Sequence, residues 1–128
     1  MKVAWEPIEF FSNVPEKDQL LLMKLGNRYG FDPLDSQDAE DYFMALLGRY
    51  QGPPEGKLAF LEGEVSRAFH CCGGSRPVWI QGAEWPFENG KPMWFVGQLE
   101  TDVENYGSAF YVFWNRDSGT VKTVMQCD

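Results

Sequence analysis

A chain of 128 residues is the size of one domain, long enough to bury a core without disulfide or metal staples. Hydrophobic residues make up 44% and aromatics 16%, which excludes a disordered polypeptide. Eleven basic against nineteen acidic residues, a net charge of -8, set a mean field that repels phosphate backbones and anionic bilayers, so nucleic acid and membrane are poor partners; the charge serves solubility in its plainest reading and draws in a basic protein partner in the sharper one.

In chain order, Lys2 to Phe11 alternates loosely through Val3, Trp5, Ile8 and Phe10 and is expected to open the fold as a strand. It carries acids where a secretory signal needs an apolar run, and the longest uncharged stretches, Ala68 to Ser75 and Tyr106 to Asn115, are too short and polar to span a bilayer. The expected localisation is cytoplasmic. Asn13 is placed to cap a helix, with Pro15 in its first turn and Glu16 completing a capping box. That helix is predicted over Pro15 to Tyr29, with Leu21, Leu22, Leu25 and Tyr29 on its apolar face and Lys17, Asp18, Lys24 and Arg28 opposite.

Gly30-Phe31-Asp32-Pro33 ends it, and Asp35 or Ser36 caps a second helix running to about Tyr50, with Ala39, Tyr42, Phe43, Leu46, Leu47 and Tyr50 as its apolar stripe. Asp35, Asp38, Glu40 and Asp41 in its first turn suit the helix dipole. They fail as a calcium loop, because Leu34 and Ser36 occupy ligand positions and the central glycine is missing. Gln51-Gly52-Pro53-Pro54-Glu55-Gly56 reads as a turn separating a helical part, about 12–51, from a β part, about 57–127, within a single domain 1–128.

Further on, Met93, Phe95, Gly97 and Leu99 alternate with Trp94, Val96 and Gln98, while Phe110, Val112 and Trp114 alternate with Tyr111 and Phe113. This is strand spacing with both faces partly apolar. Asn115 to Gly119 is a hairpin loop leading to a strand from Thr120 to Gln126. Helices first and strands after predict an α+β fold, two N-terminal helices packed on a C-terminal antiparallel β-sheet.

Chemistry has little to work with. His70 is the single histidine, and it precedes Cys71-Cys72 directly. Neighbouring side chains in extended backbone point to opposite faces, which opposes a Cys-His nucleophilic pair, and adjacent cysteines lack the spacing with which thiolates wrap a metal. Three cysteines form no disulfide framework, and a Cys71-Cys72 bridge would close a strained ring. Gly73-Gly74 has no following Walker lysine, and Pro77 prevents an immediate helix, so the pair serves a turn rather than a phosphate. No metal and no cofactor is expected.

Gly73-Gly74-Ser-Arg-Pro77-Val-Trp79-Ile80-Gln81, Glu84-Trp-Pro86 and Gly90-Lys-Pro92-Met93-Trp-Phe95-Val-Gly-Gln98-Leu99 resemble the YwqG-like group of bacterial domains of unknown function. The closing Gly107 to Phe113 run, with Gly119 and Gln126, is similar to the same group's final hairpin, so the resemblance covers about residues 68 to 127. It implies a mainly antiparallel β unit. Relatives often carry a cysteine pair suited to zinc before the Pro-Met strand; the corresponding Pro86-Phe87-Glu88-Asn89-Gly90 has none, so that site is expected to be absent. Gln81, Gln98 and Gln126 at strand ends are expected to tie loops to strand edges.

Three functional expectations follow. The first is a non-enzymatic protein-binding module, an immunity-type inhibitor of a basic toxin, contacting it through Asp35, Asp38, Glu40, Asp41 and an exposed Trp85 set among turn formers. The second is a small-ligand binder with an aromatic pocket of Trp79, Trp94 and Gln98. The third is a thiol enzyme using Cys71 or Cys72 with His70.

Overall fold

The computed structural model describes residues 14–103 and 106–127. The expected opening strand and the Asn13 cap lie outside the described residues. Helix α1 spans Glu16–Tyr29, and no side chain caps its start. Its end is a Schellman turn: Gly30 sits at φ 89°, and the Gly30 and Phe31 N–H groups both donate to the Gly26 carbonyl. A Cβ on Gly26 would lie 2.4 Å from the Phe31 oxygen, so that close return of the chain requires glycine. Asp18, expected on the polar face, is buried and accepts from Lys57 Nζ at 3.1 Å.

Helix α2 covers Gln37–Arg49, and Ser36 Oγ accepts from the Ala39 N–H as its N-cap. Ala39, Phe43 and Leu46 are buried, with Tyr42 and Leu47 packed beside them. A 3₁₀ turn at Pro54–Gly56 leads into a third helix, α3, Lys57–Ala68. This helix corrects the expected β part, which would have started here. Leu58, Leu61 and Val65 recur at helical spacing, but Gly56 offers no capping side chain and Gly63 sits mid-helix, so the local signal is weak. Ion pairs from Glu62 to Arg28 and from Glu64 to Arg49 tie α3 to the other two helices.

Past Phe69 the chain runs without regular structure, except that Cys71 bridges Phe95 in parallel. Strands β1 (Phe87–Glu88) and β2 (Lys91–Pro92) form a small hairpin. Its two-residue loop, Asn89-Gly90, has both φ angles positive, as a type I′ turn demands. Strands β3 (Trp94–Val103), β4 (Tyr106–Trp114) and β5 (Val121–Cys127) form an antiparallel sheet in the order β3-β4-β5, with a bulge between Phe95 and Gly97. The architecture is α+β, as expected, with three helices among the described residues rather than two.

The inner face of the sheet carries Phe95, Ala109, Tyr111 and Phe113, all buried against the helices. Phe31 stacks on Phe43 and on Phe69, at ring distances of 5.1 and 4.3 Å, and those two rings stack on each other at 5.9 Å. Trp85 joins this cluster to the sheet, 5.0 Å from Phe69 and 5.2 Å from Phe113. No helix among the described residues is long and apolar enough to cross a membrane.

Candidate functional site

The segment from Pro77 to Gly82 lies along the sheet, held by side-chain amides and one phenol. Gln98 Oε1 accepts from the Val78 N–H at 2.8 Å while its Nε2 donates to the Val78 carbonyl. The Tyr111 hydroxyl accepts from the Ile80 N–H and donates to the Val78 carbonyl. Gln126, 2% exposed, accepts from the Gln81 N–H and donates to the Gly82 carbonyl and to Glu84. Gln81 Nε2 in turn donates to the Cys127 carbonyl. The three glutamines therefore serve as the expected ties between loop and strand.

This arrangement separates the members of the expected aromatic pocket. Trp79 stacks on Tyr111 at 4.3 Å and donates from Nε1 to the Gly30 carbonyl, so with Gln98 it belongs to the inner side of the sheet. Trp94 pairs with Trp114, one residue out of phase with the buried Phe95–Phe113 pair, and so faces the outer side. The pocket of Trp79, Trp94 and Gln98 is corrected accordingly: strand alternation puts its members on opposite faces.

His70 and Cys71 also diverge. The imidazole lies against Trp94, with ring centres 4.3 Å apart, while Cys71 is buried in the core and Cys72 is exposed. Burial pushes the Cys71 thiol up, partly offset by Arg76, which disfavours the thiolate that a nucleophile needs. Among the described residues no group of three or more His, Cys, Asp or Glu is placed to hold a metal.

The expected acidic surface is divided. Asp35, Asp38 and Asp41 are exposed at the start of α2, whereas Glu40 is buried at 7% exposure. Trp85, expected to be exposed, is only 3% exposed and donates from Nε1 to the Met93 carbonyl at 2.8 Å. The turn formers around it steer the chain inward, so the indole enters the core instead of solvent. Asp35, Asp38 and Glu84 line a cleft of about 240 Å³ together with Lys122 and Val124 of β5. Partial burial, followed by repulsion from Asp32 and Glu84, holds the Asp35 carboxyl above its ordinary range.

The outer face of the sheet was not singled out by the sequence reading, although the doubly apolar strands were its signal. Cross-strand rows Leu99–Phe110–Met125, Gly97–Val112–Thr123 and Trp94–Trp114–Val121 make most of it apolar, broken by Thr123 and giving way to the row Thr101–Ser108–Cys127 at one end. Leu99, Val121 and Met125 are 65%, 63% and 56% exposed, and no helix among the described residues covers them. At one end a cleft of about 330 Å³ opens between the β1–β2 turn and the β4–β5 loop, lined by Trp94, Trp114, Lys91, Arg116, Glu88 and Asn115. Arg116 lies 5.2 Å from the Trp94 ring centre, and Glu88 accepts from Asn115 and Ser118, which keep it below the usual carboxylate range.

Comparison with protein-family models, with curated proteins and with solved structures finds no match. The likeness to the YwqG-like group rests on the motif residues alone.

Proposed function

We propose that this chain is a non-enzymatic protein-binding module that recognises a basic partner, acting as an immunity-type inhibitor that occludes a toxin. The observation that carries the reading is the outer sheet face: an apolar surface whose Leu99, Val121 and Met125 are each more than half exposed, adjoining two tryptophans. Contiguous apolar surface of this kind marks sites of association, because covering it releases hydration water and lowers the free energy. The net charge of -8, with Asp35, Asp38 and Asp41 at the surface, favours a basic partner and speeds its approach.

The test uses tagged protein on lysate of its native cell at low and high salt, repeated with Leu99→Lys/Met125→Lys. A stoichiometric basic partner lost in the double variant is the expected result. Equal capture by the double variant would refute the surface assignment.

A second reading, small-ligand binding, is favoured by the Trp94–Trp114 cleft rather than by Trp79 and Gln98. Under this reading tryptophan emission shifts saturably with a sugar, nucleotide or peptide and the response is lost in Trp114→Ala. A flat response to all three classes counts against it.

A further inference from the structure

Strand β5 is at once the border of the apolar outer face and a wall of the acidic cleft. Val121 and Met125 are exposed on the outer side, while Lys122 and Val124, alternating with them, line the cleft beside Asp35, Asp38 and Glu84. Among the described residues it is also an edge strand, with β4 its one neighbour in the sheet. The Asn115 N–H donates to the Thr120 carbonyl at 2.8 Å, which makes that pair a hydrogen-bonded one. Ladder alternation then turns the backbone groups of Lys122, Val124 and Gln126 toward β4 and those of Val121, Thr123 and Met125 outward. The Cys127 carbonyl, next in the outward series, accepts from Gln81. Among the described residues no hydrogen bond reaches the outward groups of Val121, Thr123 and Met125.

We infer that β5 receives an extended segment of the partner as an added strand, and that this segment alternates apolar and basic residues. The inference rests on the protein-binding reading above and specifies its mode. An added strand obtains its main-chain bonds from the outward groups of Val121, Thr123 and Met125. Its side chains inherit the period of two. Those on the outer side extend the apolar rows ending in Val121 and Met125, and those on the other side enter a cleft lined by three carboxylates and one lysine. Basic side chains there offset the carboxylates of Asp35, Asp38 and Glu84, whereas acidic ones would add repulsion and apolar ones would leave the carboxylates unpaired. Lys122 itself discourages indiscriminate edge pairing, so the cleft acids supply the selection.

The probe is the heptapeptide acetyl-Lys-Val-Lys-Val-Lys-Val-Lys-amide, added to the full chain and followed by amide hydrogen exchange and by titration. In the free chain the Val121, Thr123 and Met125 amides are expected to exchange fast; protection there shows the edge already paired and overturns the inference. With peptide they are expected to slow. A control peptide N-methylated at each valine keeps charge and apolarity but loses alternate backbone donors, and its affinity is expected to fall at least about tenfold. Asp35→Lys/Asp38→Lys, both exposed and outside the core, is expected to weaken the unmodified peptide by about tenfold. Equal binding of the methylated peptide, or no peptide binding at all, overturns the strand mode. If a native partner is nevertheless captured through Leu99 and Met125, the protein-binding reading survives and only the added strand is lost.

Discussion

Replacing Trp85 by alanine tests the core directly, because the sequence placed this indole at the surface and the fold places it inside. The side chain is 3% exposed, packs against Phe69, Phe95 and Phe113, and donates to the Met93 carbonyl at 2.8 Å. Removing a buried tryptophan costs about 3–5 kcal/mol through lost transfer energy and the cavity left behind. The carbonyl stripped of its donor adds to the loss unless water enters. Against a total stability of about 5–15 kcal/mol for a domain, a loss near 4 kcal/mol leaves a marginal protein. With a urea slope of about 2 kcal/mol/M, the midpoint falls by about 2 M. Urea titration followed by far-UV circular dichroism gives the number. Trp85→Phe keeps one ring but drops the donor and the rest of the indole's volume, so its cost should be smaller, about 1–3 kcal/mol. A midpoint shift below about 0.5 M for the alanine variant would place the indole in solvent and undo the account of the core.

Gln126→Ala removes the acceptor for the Gln81 N–H and the donor to Gly82 and Glu84 at a buried position, for an expected loss of about 2–4 kcal/mol in urea titration. Gln126→Glu should be worse at neutral pH, since it sets a carboxylate against Glu84, and the gap should narrow on acidification. Asp35 has a folded pKa raised above 3.8, so its folded form binds more protons than the unfolded chain between that value and the raised one, and stability falls as pH rises through the window. Asp35→Asn should therefore stabilise the protein at pH 7 and lose that advantage below the ordinary aspartate range; thermal melts across pH check the sign. Iodoacetamide followed by intact mass should label Cys72 and Cys127 quickly and Cys71 slowly, because Cys71 is buried and its thiol is pushed up. Rapid, selective labelling of Cys71 would instead support the thiol-enzyme reading.

The helices that announced themselves were those with strong punctuation. Gly30 closes α1 and Ser36 opens α2, and both act through local geometry that a few neighbouring residues specify. Helix α3 lacks a capping side chain and carries an internal glycine, so its apolar spacing at Leu58, Leu61 and Val65 passed unread. It is held instead by packing on α1 and by ion pairs whose partners lie 34 and 15 residues away. The β1–β2 turn was legible in Asn89-Gly90 and passed unread, although that dipeptide suits a turn with two positive φ angles.

By itself the sequence determined the class, the placing of helices before the sheet and the β4–β5 hairpin, because capping, period and composition are local properties. It also marked the glutamines that stitch the Pro77–Gly82 segment to the sheet. Only the tertiary structure decided which tryptophan is buried, that Trp79 and Trp94 stand on opposite sides of a sheet, that Glu40 is withdrawn from the acidic surface, and that β5 borders both an apolar face and an acidic cleft. Those are questions of which face of each element meets the core. The answer depends on where the helices lie over the sheet, and a sheet apolar on both sides leaves that choice open until the whole chain has packed.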